Sequence, residues 1–369
     1  MTIGFDAVPL RSGHANRGIG RYLAGILDAL VHERPDWCDE HLGCLIAGGQ
    51  RPVVAKFWRT RRSSFRPQDL DWLTSAVIDR WAIRASPPSV WHMTDPWTPF
   101  SMLSAARTIA TAYDLIPLLE PTVMAEIRPH RRLIYHRYLK ALKESRLVVA
   151  ISEATAEDVG AHLGIPRDRI HVVYPSIVPP APGIESAGSL GDPLNLLFVG
   201  VLAPHKRPGL ALRVLAELTR QGVDADLTFV GTQPPRHREA LLRLASDLHV
   251  AGKVQLIGRV GDDELVRLYR TTITLAISRV EGFGLPPVEA TLAGGRVVAT
   301  PSRIYDEVLA STATFAASHD PSAIAEAVLT ARVRDQRRSM SGALELAVRY
   351  APAKAASSLV AAYEAVLHS

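Results

Sequence analysis

Residues 194–231 decide the fold; they read LNLLFVG at 194–200, PGLALRVLAELTRQG at 208–222 and LTFVG at 227–231. The two short runs are almost wholly apolar and end in glycine, which is typical of strands that are buried on both faces. Between them, apolar residues recur at helical spacing. A strand, a helix and a second strand in this order predict a parallel sheet with helices packed on its faces.

The same alternation continues to residue 300. Helical patterns lie at 236–250, 262–270 and 286–295, and strand patterns lie at 254–258, 273–278 and 296–300. Repeated units of this kind are typical of a doubly wound sheet, whose ligands bind at the carboxyl ends of the strands. We therefore predict a single nucleotide-binding type of domain over 194–352.

The N-terminal half shows a looser version of the pattern. Candidate strands lie at 3–7, 42–47, 90–93, 109–116, 147–151 and 170–174. A segment rich in Pro, Gly and Ser at 175–193 separates the two halves. We predict an α/β protein with two doubly wound, Rossmann-like domains that face each other across a cleft. Their expected bounds are 1–180 and 194–352, with a linker at 181–193 and a final helix at 353–368 that packs back on the first domain.

Composition excludes several classes of protein. The chain has 369 residues, of which 47% are hydrophobic, so it can bury two cores, and disorder is excluded as an overall description. No run approaches the roughly 20 apolar residues of a membrane-spanning helix. The first ten residues do not resemble a signal peptide, so we expect a cytoplasmic protein. Cys38 and Cys44 are too few for a disulfide framework and are predicted to be packing residues.

The charge distribution argues against nucleic acid as a partner. The formal net charge is +5, but the basic residues are spread along the chain instead of forming one arm. One exception is the arginine-rich stretch 59–66. The other is 128–146, which has seven Lys or Arg against one acid, interleaved with apolar residues. This second pattern predicts an amphipathic helix that lies on an anionic membrane at its inner face or holds an anionic acceptor, although an ordinary solvated helix face explains it equally well.

The strongest chemical motif is SRVEGFGLPPVE at 278–289. It follows an apolar strand pattern and opens a helix, since proline is favoured at the first helical position. Gly282 and Gly284 let the backbone approach a ligand closely, and the free N–H groups at the helix start favour an anion such as a diphosphate. Glu281 and Glu289 can bracket one ligand, because a carboxylate accepts two hydrogen bonds from paired hydroxyls. The plain alternative is a Gly/Pro turn with Glu289 as a favourable helix N-terminal charge.

A second motif is FVGVLAPHKRPG at 198–209, again a strand, a glycine turn and a helix start. Lys206 and Arg207 lie just before the helix. A cation there can neutralise the negative charge that develops on a departing nucleoside diphosphate. In isolation, Lys-Arg in a loop is usually solvated charge, but the carboxyl end of the first strand of such a sheet is where ligands bind.

The EGFGLPPVEA and GVLAPHKRP segments resemble the E-x7-E and lysine motifs of family 4 glycosyltransferases, which have the GT-B fold. The resemblance continues in RGIGRY at 17–22, YDLIP at 113–117, Ser152-Glu153 and GRVGDDEL at 258–265, so it covers nearly the whole chain. It implies transfer of a sugar from a nucleotide diphosphate sugar with retention of configuration, a donor site mainly in the C-terminal domain, and no cofactor or metal.

The resemblance also implies roles for individual residues. Lys206 would hold the diphosphate, Glu281 would contact the transferred sugar and Glu289 the ribose. The remaining donor-site residues would be Gly282, Phe283, Gly284, Leu285, Arg207, the loop glycines Gly18 and Gly20, and Val260 near the base. Asp114 is assigned with Lys206 and Glu281 to the catalytic group.

Two departures from the family pattern limit this transfer of roles. Many relatives have His-Asp where this chain has Tyr113-Asp114, and tyrosine cannot act as a base near neutral pH. Some relatives have Arg where Val201 follows the glycine of the first C-terminal strand. His92, in the run VWHMTD, is expected either to line the acceptor side together with Tyr113 or to be a hydrogen-bonded core histidine.

We therefore predict a retaining hexosyltransferase that uses a saccharide or lipid-linked acceptor in polysaccharide or glycoconjugate biosynthesis, with a weak preference for mannose or a deoxyhexose. The alternatives are a phosphorylase-like or sugar-phosphate synthase enzyme of the same fold, and a catalytically degenerate sugar-binding or scaffold subunit. The pair Asp224 and Asp226 could indicate a metal-binding D-x-D, but it precedes a strand pattern instead of following one. A P-loop motif is absent from the sequence.

Overall fold

A computed structural model describes residues 2–6, 8–10, 18–46, 88–97, 108–181, 191–333 and 336–368. The chain forms two compact units, Met1–Ile177 with Tyr350–Ser369, and Val178–Arg349. The arginine-rich stretch 59–66 and most of the predicted linker lie outside the described residues. No described helix is long and apolar enough to cross a membrane.

The first unit contains a six-stranded parallel sheet. Its strands are β1 Ile3–Asp6, β2 Leu42–Ile46, β3 Val90–Met93, β4 Thr108–Ala112, β5 Leu147–Ala150 and β6 Ile170–Val172. Their order in the sheet is β2-β1-β3-β4-β5-β6. The helices of this unit are α1 Gly18–Glu33, α2 Pro35–His41, α3 Ile116–Leu119, α4 Pro121–Glu126, α5 Pro129–Glu144, α6 Glu153–Leu163 and the C-terminal α14 Pro352–Leu367.

Two features hold the first unit together. Strands β4 and β5 are buried on both faces and pack against the apolar side of α5, which contributes Tyr138 and Leu142. Helix α14 contacts α1 and buries Tyr363 completely. The C-terminal helix therefore belongs to the core of the first unit.

The predicted strand at 109–116 is wrong at its carboxyl end. Strand β4 ends at Ala112, and α3 begins at Ile116. The Asp114 carboxylate accepts a hydrogen bond from the backbone N–H of Ile116 at 3.0 Å, and Pro117 occupies the first turn of α3. This local bond and the fixed backbone of proline favour a helix start where the apolar residues continue.

The second unit contains another six-stranded parallel sheet. Its strands are β7 Leu194–Val199, β8 Ala225–Val230, β9 Val254–Ile257, β10 Ile273–Ala276, β11 Arg296–Ala299 and β12 Thr314–Phe315. Their order is β12-β11-β10-β7-β8-β9. The helices are α7 Pro208–Arg220, α8 Pro235–Asp247, α9 Asp262–Thr271, α10 Leu285–Leu292, α11 Arg303–Leu309, α12 Pro321–Val333 and α13 Gln336–Arg349.

The order of the strands in the second sheet reverses between β7 and β10. Strands β7 and β10 are neighbours, although 73 residues lie between their ends, and they pair in parallel with Thr274 opposite Leu197. The order along the chain reverses at this pair, because β8 and β9 lie on one side and β11 and β12 on the other. A doubly wound sheet binds its ligands at such a point, outside the carboxyl ends of the strands.

Candidate functional site

Lys206 and Glu281 meet at the carboxyl ends of β7 and β10. The Lys206 Nζ donates a hydrogen bond to Glu281 Oε1 and forms an ion pair with it. Their side chains are only 18% and 10% exposed, so solvent screens this pair less than a surface pair. Two residues that the sequence assigned to one site from separate motifs therefore lie in direct contact.

The backbone also links the two loops. The Arg279 N–H donates to the His205 carbonyl at 2.8 Å, so the loop after β10 is tied to the short 3-10 helix Pro204–Lys206 after β7. Arg207 then has a left-handed backbone with φ of 56° and precedes α7. The loops are thus held together by a main-chain bond that does not depend on the Lys206–Glu281 ion pair.

The Tyr305 ring packs against the glycine turn at Gly284. Gly284 has φ of +84°, a conformation that side chains rarely adopt, and a Cβ atom added to it would lie 3.3 Å from Cε1 of Tyr305. The Tyr305 hydroxyl accepts a hydrogen bond from the Ser278 N–H at 3.3 Å. Burial, together with the nearby charge of Glu281, raises the pKa of Tyr305 well above its usual value, so it stays a neutral phenol.

Glu289 is held by a second buried tyrosine. It lies on α10, which begins at Leu285 with prolines in its first turn, as the sequence predicted. The Tyr269 hydroxyl of α9 donates to Glu289 Oε2 at 3.1 Å, and Tyr269 is only 1% exposed. One oxygen of Glu289 is therefore fixed from the protein side while the side chain remains half-buried.

The other expected donor residues surround this centre to different degrees. Gly282 and Phe283 are buried in the turn. Arg207 donates from Nη1 to His319 Nδ1 at 2.9 Å, and burial, followed by the charge of Arg207, lowers the pKa of His319. Val260 is half-buried in the segment between β9 and α9. The assignment of these residues to a donor stays a prediction.

Asp224 and Asp226 lie at the amino ends of the strands of the second sheet. Asp224 directly precedes β8 and forms an ion pair with Lys253. Lys206 follows β7, which runs parallel to β8, so these aspartates and Lys206 are at opposite strand ends. Within the described ranges, no group of three or more His, Cys, Asp or Glu side chains could hold a metal ion.

In the first unit, the expected site residues have structural partners. Gly18 and Gly20 open α1, whereas Arg17 lies outside the described residues. The Tyr113 ring is buried and packs edge-on against Tyr22, with ring centroids 5.5 Å apart. Asp114 bonds to the backbone of α3 as described above. Contacts of these residues with phosphate or sugar stay predictions.

His92 is a core histidine in this fold. It is 2% exposed, and its two ring nitrogens lie 2.7 Å from the Tyr363 hydroxyl and 2.8 Å from Oγ1 of Thr111. Burial lowers the pKa of His92 to about 3, so the ring is neutral. The geometry supports the core alternative and not a place on the acceptor side, because both nitrogens are engaged by the protein.

Sequence reasoning did not find Tyr269 and Tyr305. Each lies at an apolar position of an amphipathic helix, where a tyrosine has the pattern of an ordinary core residue. The only available signal was that a buried phenol needs a polar partner, and that partner lies on a different element in each case.

Two family profiles together match most of the chain. The profile described as Glycosyltransferase Family 4 matches residues 17–179, and the profile described as Glycosyl transferases group 1 matches residues 184–340. The matched ranges contain both motif segments and nearly all of both sheets.

Individual proteins show the same likeness. The chain is 32% identical over 173 residues to a D-inositol 3-phosphate glycosyltransferase of Rhodococcus jostii, covering 43% of this chain and 38% of that protein. It is 23% identical over 242 residues to the O-antigen chain mannosyltransferase RfbU of Salmonella typhimurium, covering 62% of this chain and 66% of that one. The chain thus spans less than two thirds of the length of these curated relatives.

A solved structure shows the same fold. The structure of Anabaena HepE in complex with UDP and glucose superposes with a TM-score of 0.70 at 15% identity, covering 99% of both chains. The two parallel sheets, the motif segments at their expected elements and the two family profiles agree: this chain belongs to the family 4 glycosyltransferases and has the GT-B fold.

Proposed function

We propose that this protein transfers a hexose from a nucleotide diphosphate sugar to a saccharide or lipid-linked acceptor and retains the anomeric configuration. The observation that carries the proposal is the contact between Lys206 and Glu281 where β7 and β10 adjoin. A cation and a carboxylate held at the point of strand reversal provide one group for phosphate and one for sugar hydroxyls.

Each residue has a distinct task in this proposal. Lys206 neutralises the charge that develops on the diphosphate, and the N–H groups of the turn at 282–285 and of the following helix start add positive potential. Glu281 binds hydroxyls of the transferred sugar. Glu289, which the Tyr269 hydroxyl orients, binds the ribose.

The transfer itself needs no protein base. The bond between the anomeric carbon and the β-phosphate oxygen breaks, and a bond to the acceptor oxygen forms on the same face of the sugar. The acceptor proton passes to the departing phosphate oxygen, which becomes more basic as the bond breaks. Tyr113 in place of His is consistent with this route, because no group at that position has to accept a proton.

The relatives favour a hexose donor. RfbU is a mannosyltransferase of O-antigen chains, and the HepE structure contains UDP and glucose. The YDLIP segment resembles relatives that build surface polysaccharide, which favours mannose or a deoxyhexose. The competing possibility is a degenerate sugar-binding subunit, and the observation that favours it is the burial of Tyr113 at the position where many relatives present His.

Melting temperatures with GDP, UDP, dTDP and ADP test the proposal. A ligand that binds only the folded state stabilises it by about 2.7 kcal/mol at 100 times its Kd, so the cognate nucleotide raises the melting temperature. Lys206→Ala should reduce the shift, whereas Lys253→Ala, at the other strand ends of the same sheet, should leave it unchanged. Absence of a shift with all four nucleotides would overturn the proposal.

Release of nucleoside diphosphate from the matching nucleotide sugar then separates an enzyme from a binding subunit. We propose that this release continues in EDTA, because Lys206 and the helix start supply the positive charge. Strict dependence on magnesium or manganese would revive Asp224 and Asp226 as metal ligands. Nucleotide binding without any turnover would favour the degenerate subunit.

We also propose that α5 brings the protein to the inner face of an anionic membrane. Its exposed face carries Arg137, Lys140 and Lys143, and Leu133 on the same helix is 54% exposed. Arg132 has a different role. Its guanidinium donates to the carbonyls of Ala125 and Ile127, at 2.7 Å each, and shapes the turn before the helix.

A further inference from the structure

The first unit contains a cavity of about 690 Å³. This volume lies within the range of sites that bind small ligands. Its lining residues are Trp97, Pro117, Val123, Glu126, Ile127, Arg128, His130 and Arg131. Trp97 and Pro117 lie shortly after β3 and β4, and ligands of such sheets bind at the carboxyl ends of the strands; the other lining residues belong to α4, to the start of α5 and to the turn between these helices. None of them belongs to the expected donor site.

The apolar side of the cavity has a fixed wall. The Trp97 indole stacks on Tyr135, with ring centroids 5.5 Å apart and an angle of 24° between the rings. The backbone N–H of Trp97 donates to Asp95 Oδ1 at 2.9 Å. Tyr135 is fully buried on α5, so the indole rests on a rigid support. Pro117, Val123 and Ile127 complete an apolar lining.

The other side of the cavity is cationic. Arg128, His130 and Arg131 line it together with one carboxylate, Glu126. In the described part of the chain, the guanidinium groups of Arg128 and Arg131 have no ion-pair partner. The bonds of the Arg132 guanidinium to the 125–127 turn fix the backbone that carries them. Two arginines on a fixed turn suit a phosphate, which guanidinium groups bind with strong, charge-assisted hydrogen bonds.

We propose that this cavity binds the phosphate head and the first apolar segment of a lipid-linked phosphate acceptor, an inference that rests on the transfer function proposed above. Arg128 and Arg131 hold the phosphate, and Trp97, Pro117 and Val123 contact the chain. A free phosphate would leave the apolar wall in water, and an uncharged sugar would not use the two cations. Leu118, which is 37% exposed beside Pro117, extends the apolar surface.

Binding of farnesyl phosphate, measured by titration calorimetry below its micellar concentration, tests the inference. Farnesol and inorganic phosphate separate the two halves of the ligand. We expect farnesyl phosphate to bind at least about tenfold more tightly than either probe, since one tenfold step corresponds to only 1.4 kcal/mol. Equal binding of inorganic phosphate would show a simple anion site, and equal binding of farnesol a simple apolar groove; either result overturns the proposal.

Charge reversal locates the site. Arg128→Glu with Arg131→Glu should weaken farnesyl phosphate binding at least about tenfold, because a hydrogen bond to a charged group contributes about 1.5 to 3 kcal/mol. The matched control, Arg236→Glu with Arg238→Glu, reverses the same amount of charge at two exposed arginines of α8 in the second unit and should weaken it less than twofold. If both pairs weaken binding equally, general electrostatics explain it and the cavity does not.

Two further measurements make the outcome decisive. If the Glu variants unfold, Arg128→Gln with Arg131→Gln removes the same charges more mildly and should show the same loss. The melting-temperature shift with the cognate nucleoside diphosphate should be unchanged in every variant of this set. If the wild-type protein binds no nucleotide, the proposed function is refuted, whereas a wild-type protein that binds nucleotide but not farnesyl phosphate refutes only this inference.

Discussion

The carboxyl ends of the two sheets use polar side chains in opposite ways. In the second unit, Lys206 and Glu281 bind each other, and buried Tyr269 holds Glu289, so charged groups from different elements are fixed around one centre. In the first unit, Asp114 accepts a hydrogen bond from the backbone N–H of Ile116, two residues further along the chain, while Arg128 and Arg131 line a cavity. We therefore propose that the second edge is preorganised for charge that develops in a reaction and that the first edge serves binding.

Lys206→Ala gives the strongest test of this contrast. In the proposed reaction, negative charge on the diphosphate grows as the sugar leaves, so we expect Lys206 to contribute more to the transition state than to donor binding. Loss of one such preorganised contact costs about 100-fold to 1,000-fold in rate, and we expect that loss in kcat for donor cleavage with only modestly weaker donor binding. Steady-state release of nucleoside diphosphate measures both quantities.

Two controls accompany this test. Lys206→Arg should recover part of the activity, since it keeps the charge but not the shape of the amine. Lys253→Ala should retain wild-type kcat, because Lys253 pairs with Asp224 at the amino ends of the strands. Near-normal turnover in Lys206→Ala, or an inverted anomer in the product by NMR, would mean that the second edge is not organised as proposed.

Reversal of the exposed cations of α5 tests the binding role of the first unit. Each Lys or Arg near an anionic surface contributes about 1 kcal/mol, so changing Arg137, Lys140 and Lys143 to Glu should lower vesicle affinity by about 3 kcal/mol or more. Pelleting with phosphatidylglycerol vesicles at low salt measures this. The matched control reverses Arg236, Arg238 and Arg243, three exposed arginines of α8 in the second unit, and should pellet normally. If wild-type protein does not pellet, α5 has an ordinary solvated face.

The two glutamates of the second unit should separate binding from turnover. Glu289→Ala removes the expected ribose contact and should weaken nucleotide binding by about 2 kcal/mol, within the usual cost of losing a buried hydrogen-bond partner. Glu281→Ala should leave nucleotide affinity nearly unchanged and mainly lower kcat. Calorimetric titration of the cognate nucleoside diphosphate distinguishes the two variants, and equal loss of affinity in both would contradict these roles.

Much of the second unit was predictable because its signals are local. The apolar runs, the helix start after Gly284 and the placement of Lys206 after the first strand all follow from neighbouring residues. The strand order is not local: no pattern in the sequence says that β10 pairs with β7, and this pairing is what brings Glu281 to Lys206. The hydroxyl partners of Tyr269 and Tyr305 were hidden for the same reason.

For Asp114 and His92, the sequence suggested a role in the site and could not distinguish it from a structural role. Their residue types suit catalysis, but each is also common in purely structural roles. The bond from Asp114 to Ile116 spans two residues and could have been read as a turn signal. The bond between His92 and Tyr363 spans 271 residues, so no local pattern could have revealed it.

The smallest effect expected concerns His92 and the structural role of polar groups in the first unit. Burial lowers the pKa of His92 to about 3 in the folded protein, whereas an unfolded histidine titrates near 6.5. The unfolded chain therefore binds a proton first as the pH falls, and the folded state loses stability below about pH 6.5. Between pH 7.5 and 5.5 this group alone should cost about 1.4 kcal/mol.

His92→Gln keeps polar atoms near Tyr363 and Thr111 but cannot be protonated, so it isolates this contribution. Urea unfolding should show the variant less stable than wild type at pH 7.5, with the gap smaller by about 1.4 kcal/mol at pH 5.5. His136→Gln, on the exposed face of α5, should leave the free energy of unfolding unchanged both at pH 7.5 and at pH 5.5. A gap that stays constant between the two pH values would mean that His92 can accept a proton in the folded state. His92 would then be a titratable group near the carboxyl end of β3, and its role would no longer be purely structural.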